Sequence, residues 1–115
     1  MTKITVVIKS EPYSDESAYT GLKFALTALK NGHLVEIFLV QGGVFCAVHG
    51  QSPDHMPNNY DMVANVIEVG GRVVCCGTCT NARGIKRELI HPDAEIGTMN
   101  VLVEMVALSD QVINF

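Results

Sequence analysis

Three cysteines fall close together in the run Cys75-Cys76-Gly77-Thr78-Cys79-Thr80-Asn81-Ala82-Arg83-Gly84. A thiol is a nucleophile only as its thiolate, and free backbone N–H groups at a helix N-terminus, helped by a nearby cation, lower its pKa. The apolar run Arg72-Val73-Val74-Cys75 reads as a buried strand, and Thr80 or Asn81 as a helix cap beyond it. Cys76 and Cys79 then lie in the strand-to-helix turn, and Arg83, about two helical turns past Cys76, is placed to supply the cation. On this reading Cys76 is a nucleophile of lowered pKa and Cys79 its reactive neighbour. Read bare, the C-x-x-C spacing is equally compatible with a buried or weakly reactive pair, and Arg83 with a partner in a surface carboxylate.

The remaining chemistry-bearing residues carry weaker signals. Strand alternation turns Cys75 to the face opposite Cys76, which makes it a core residue. Cys46 sits among Val44, Phe45, Ala47 and Val48, so packing is the expected role, with approach to the cysteine turn as the alternative. His49 and His55, with Asp54, have metal-ligand chemistry, but no second closely spaced pair joins Cys76 and Cys79, and solvated loop histidines are expected rather than a metal site. Tyr13 and Glu16 either line a pocket or simply start the first helix. Gly42-Gly43 and Gly70-Gly71 match neither a P-loop nor a dinucleotide fingerprint; turn glycines suffice, and no cofactor is expected.

The elements that must position these residues alternate along the chain. Thr5 to Ile8 is β-branched and apolar; Ala18, Leu22, Ala25, Leu26 and Leu29 recur at helical spacing before a stop at Asn31-Gly32; Val35 to Val40 is the next apolar run. Residues 41–58, with Gly42, Gly43, Gly50, Pro53 and Pro57, form a long connection of the kind used as a lid or a subunit contact. Met62, Val63, Val66 and Ile67 mark a second helix ended by Gly70-Gly71, and the cysteine strand follows. A third helix starts near Thr80. Glu95 to Gly97 reads as a short strand, Thr98 caps a helix bearing Val101, Leu102, Met105 and Leu108, and Gln111 to Phe115 closes as a strand. Five strands alternating with four helices imply an α/β domain whose parallel sheet is covered on both faces, with the first strand interior. The loop Ser10 to Ser17, the connection after the second strand and the cysteine turn then share the carboxyl edge of the sheet, where ligands bind in such folds.

Composition bounds the reading. A chain of 115 residues buries a core without disulfide staples, so residues 1–115 are expected to form a single domain. No charged n-region and apolar h-region opens it, and no apolar run reaches membrane-spanning length, which points to the cytoplasm. The net charge of -4, without a basic cluster or aromatic stacking run, argues against nucleic acid as the main partner, and with no spanning run no membrane partner is expected.

In sequence the chain resembles the small DsrE/DsrF/TusD-like sulfur-relay proteins, most closely their YchN-like branch. The resemblance spans nearly the whole chain and rests on Pro12-Tyr13 followed by Glu16-Ser17, on Cys76-x-x-Cys79-Thr80-x-x-Arg83-Gly84-Ile85, on Glu95-Ile96-Gly97-Thr98, and on the Asp110-to-Phe115 ending. It implies a three-layer α/β/α fold, cyclic homo-oligomers (trimers or hexamers), and, in relay members, a cysteine that carries sulfur as persulfide between donor and acceptor proteins. Counted back from Arg83-Gly84, Cys76 matches the relay cysteine of TusD-like members, and Cys79 a second cysteine found in YchN-like ones.

Three functions follow. In the leading one Cys76 carries sulfane sulfur to a partner protein. The second is a thiol-disulfide oxidoreductase cycling Cys76 and Cys79, although the thioredoxin-type Cys-Pro signature is absent between them. The third is a non-catalytic oligomer whose pocket, with Tyr13 and Glu16, holds a small ligand. The apolar Val44, Phe45 and Val48 place the expected subunit contact in the 41–58 connection.

Overall fold

The computed structural model describes residues 1–115. Five strands, β1 (Lys3–Ile8), β2 (Leu34–Leu39), β3 (Arg72–Cys76), β4 (Glu95–Gly97) and β5 (Gln111–Asn114), form one parallel sheet in the order β4-β3-β2-β1-β5. Four α-helices connect them: α1 (Ser17–Lys30), α2 (Asn59–Glu68), α3 (Gly77–Ala82) and α4 (Met99–Ala107). β1 is interior, as its apolar run implies, with β2 on one side and β5 on the other.

The strand order decides where the helices go. β1 to β4 step across the sheet in one direction, so right-handed crossovers keep α1 and α2 on one face. The return from β4 to β5 crosses the whole sheet in the opposite direction and puts α4 on the other face. Side chains agree with this. Ile8 lies against Gly21 of α1, whereas the Thr5 hydroxyl, an odd number of residues away on the same strand, donates to the Met105 carbonyl of α4 at 3.3 Å. The result is the three-layer α/β/α arrangement. β1 and β2 are buried on both faces, which is why they read as continuous apolar runs rather than as alternations.

A row of charges crosses the α4 face near the amino ends of the strands. Glu36 pairs with Lys3 at 3.1 Å and with Arg72 at 2.8 Å, and Arg72 also grips Glu95 at 2.8 Å. This row pins β1 to β4 at the edge opposite the cysteines. At the carboxyl edge, Phe115 closes β5 by accepting from Lys9 N–H at 3.0 Å and donating to Val7 at 2.8 Å.

The long connection after β2 is not a free lid. Its first part, Gln41–Ala47, winds into a 3-10 helix whose Val44, Cys46 and Ala47 are fully buried in this chain's own core. Gly43 makes that possible: a Cβ there would stand 2.0 Å from the Ile8 carbonyl oxygen, so the backbone packs directly onto the end of β1. The expected subunit contact through Val44 is therefore corrected, because that side chain is spent on the internal core; Phe45 and Val48 are only half-buried. Exposed aliphatics gather instead on α4 and its C-cap, where Met99, Val103, Val106 and Leu108 all face solvent.

Candidate functional site

β3 delivers its last two residues to opposite faces. Cys75 points with Ile8 and Leu39 toward the α1 side, where it approaches Cys46, and burial pushes both thiols up to about 12. Both are core residues, as alternation and composition foretell. Cys76, one residue on, turns to the other face beside Gly97 and ends the strand.

The helix that follows begins earlier than expected. Its cap is Cys76 itself, in extended backbone, with the thiol sulfur accepting from Cys79 N–H at 3.4 Å. Neither Thr80 nor Asn81 caps it; Thr80 is buried in the helix and donates to the Gly77 carbonyl at 2.9 Å. Cys79 therefore lies in the first turn of α3, half-buried, while Cys76 is only 6 % exposed.

The expected lowering of the Cys76 pKa is overturned. Burial raises it first and the neighbouring Cys79 thiol raises it further, and the N–H groups of Cys79 and Thr78 only partly offset the two. The anticipated cation is also turned away. Arg83 ends α3 and donates back to the Cys79 carbonyl at 3.2 Å, so its guanidinium satisfies a helix-terminal acceptor rather than a sulfur.

A different group reaches the pair. The backbone N–H of Gln41, which opens the 3-10 helix two residues past the end of β2, donates to the Cys79 sulfur at 3.0 Å. Gln41 holds φ at +54°, a left-handed conformation uncommon for a residue with a side chain. Nothing in the residue type signals this role; the only cue is the Gly42-Gly43 pair that follows, whose second glycine the close approach to Ile8 requires.

Tyr13 and Glu16 lie on the neighbouring loop and bond to neither sulfur. Tyr13 also has positive φ, +72°. Its hydroxyl donates to the Gln51 side-chain carbonyl and accepts from Asn59 N–H at 2.9 Å, so it fastens the 48–58 segment to the start of α2. Gln51 completes the fastening by donating to the carbonyls of Phe45, Cys46 and Val48. Together with Glu11, Phe45 and His49, Tyr13 lines an open cleft of about 290 Å³. Glu16 stands at the start of α1, where its carbonyl accepts from Thr20 N–H at 2.8 Å, and it also lines, with Tyr13, Asp15 and Met56, a second small cleft of about 190 Å³. His49 packs edge-on against Tyr60, with ring centroids 6.3 Å apart, and His55 is exposed.

Comparison with known proteins agrees with this fold. Residues 2–115 match the DsrE/DsrF-like family. A protein of Methanopyrus kandleri is 48% identical over 97% of this chain and 93% of its own length, and one of Methanocaldococcus jannaschii is 44% identical over 98% and 99%. The YchN protein of Escherichia coli is 29% identical over the full length of both chains, and its crystal structure superposes with a TM-score of 0.93. A matching sequence from end to end and a matching three-layer sheet leave one assignment: the chain belongs to the DsrE/DsrF-like family, in its YchN-like branch.

Proposed function

We propose that this protein is a sulfane-sulfur carrier that holds sulfur as a persulfide on Cys76 and passes it to a partner protein. The observation that carries the reading is the Cys76 sulfur seated as the cap of α3 at the carboxyl edge of the sheet, with Cys79 one turn away. At neutral pH the buried thiol rests protonated. It loses its proton as it attacks the outer sulfur of a donor persulfide, the donor's S–S bond breaks, and the donor leaves as thiolate. In the persulfide then formed, the Cys76 sulfur facing the Cys79 and Thr78 N–H groups is the inner one, and those groups favour the thiolate that departs from it in the next step. An acceptor thiolate attacks the same outer sulfur, and Cys76 departs as thiolate and regains its proton.

All four cysteines are free, and a reducing cytoplasm is the compartment that keeps them so. Homo-oligomerisation, as a trimer or hexamer, belongs to the same proposal, and the exposed aliphatics of α4 support it.

The test is incubation of the reduced protein with glutathione persulfide, followed by intact-mass measurement and peptide mapping. One added sulfur on Cys76 is expected, lost in Cys76→Ser and still loaded in Cys79→Ser. Loading that disappears with Cys79→Ser and survives Cys76→Ser overturns the assignment of the nucleophile, and no loading at all overturns the carrier.

A further inference from the structure

The two thiols at the carboxyl edge form an isolated pair. Cys75 and Cys46 are buried on the opposite face of the sheet, so only Cys79 can meet a sulfur held on Cys76. On a helix of about 1.5 Å rise and 2.3 Å radius, Cα atoms three residues apart stand about 5 Å from one another. Disulfides span Cα separations of about 4.4–6.8 Å. The pair can therefore close without moving the backbone far. Cys79 is also held in place: the Gln41 N–H donates to its sulfur at 3.0 Å, and Cys79 is the more exposed residue of the two.

From this geometry we infer a further activity that rests on the carrier reading: Cys79 is an internal resolving thiol, through which the protein reduces sulfane sulfur to sulfide when no acceptor arrives. The Cys79 thiolate attacks the inner sulfur of the Cys76 persulfide. A Cys76–Cys79 disulfide forms, the bond between inner and outer sulfur breaks, and the outer sulfur leaves as hydrosulfide with the electron pair. Over both steps one persulfide and two protein thiols give one thiol, one hydrogen sulfide and one disulfide, so the sulfane sulfur gains the two electrons that the thiols lose. A second turnover requires an external dithiol to reduce the disulfide. Acceptor transfer and internal resolution thus compete for the same cargo, and the supply of acceptor decides between them.

The experiment follows the reduced, desalted full chain after one dose of glutathione persulfide, with intact mass and bimane-trapped sulfide read over time. Expected in the native protein is a transient added sulfur that gives way to the loss of two hydrogens, with sulfide released in step. In Cys79→Ser, and in Cys79→Ala as a second variant, the added sulfur should persist roughly tenfold longer or more, without sulfide. A native protein that keeps its sulfur as long as these variants do, and forms no disulfide, overturns the inference while leaving the carrier intact. If neither the native protein nor the variants take up sulfur, the carrier reading fails and the inference falls with it.

Discussion

The backbone N–H of Gln41 points at the Cys79 sulfur from 3.0 Å, and it does so from a left-handed residue with φ of +54°. A residue with a Cβ held in that region costs about 1–2 kcal/mol, which the surrounding packing must offset. Gln41→Gly keeps the donor and removes the strain. The variant should match or exceed the native stability by up to about 1 kcal/mol in urea denaturation, with sulfur loading unchanged. A clear loss of stability would show that the Gln41 side chain, and not its backbone, matters.

The four thiols should separate sharply in alkylation. Cys46 and Cys75 are buried with pKa values pushed up to about 12, whereas Cys79 reaches the surface and Cys76 lies beside it. Iodoacetamide at neutral pH, read by peptide mapping, should label Cys79 first, Cys76 next, and Cys46 and Cys75 at least roughly a hundredfold more slowly. Equal rates at all four positions would contradict the burial described.

Alkaline pH should unfold the protein through those same two thiols. Their folded pKa of about 12 lies above the unfolded value near 8.5, so between these limits the unfolded chain binds fewer protons and stability falls as pH rises. The stabilising contribution is fully present below about pH 8.5 and is lost progressively toward pH 12. Cys75→Val should flatten the upper part of that decline in a series of urea titrations; an unchanged slope would mean that the thiol ionises elsewhere than in the core.

Tyr13→Phe removes the hydroxyl that joins Gln51 to Asn59 and leaves the ring in its cleft. The expected cost is about 1–2 kcal/mol, with faster proteolysis between residues 48 and 58. Sulfur loading should be unaffected, since the hydroxyl touches neither thiol. A loading defect in a stably folded Tyr13→Phe would place this residue in the chemistry.

Assembly should depend on α4. Met99, Val103 and Val106 lie on its exposed side, and Val103 is 61 % exposed. Val103→Asp puts a charge on that stripe and should lower the mass in sedimentation at micromolar protein, whereas Val48→Asp, in the 41–58 connection, should disturb it less. A monomeric native protein would remove the basis for both statements.

Much of this was legible from residue order alone. The runs at β1, β2 and β3 are β-branched and apolar because both faces of those strands are buried, and the helical spacing of Ala18, Leu22 and Ala25 survives as the buried stripe of α1. The inert role of Cys75 follows from alternation. What escaped depends on long-range geometry. A cysteine is an uncommon helix cap, so α3 was expected to begin near Thr80. Burial of Val44 follows from the approach of Gly43 to the end of β1, which no local pattern encodes. Arg83 is claimed by a carbonyl of its own helix, and Gln41 acts through its backbone, where side-chain identity says nothing. The Cys76 pKa rises because desolvation outweighs two N–H donors, a balance that spacing cannot weigh.

Adjacent cysteines on opposite faces of β3 also make this protein a gauge of its own strand alignment. Slippage of β3 by one position would exchange the sulfur in the core for the sulfur at the site. The labelling pattern of Cys75 against Cys76 therefore reports, in any variant or refolding mixture, whether that strand has paired in its native alignment with β2.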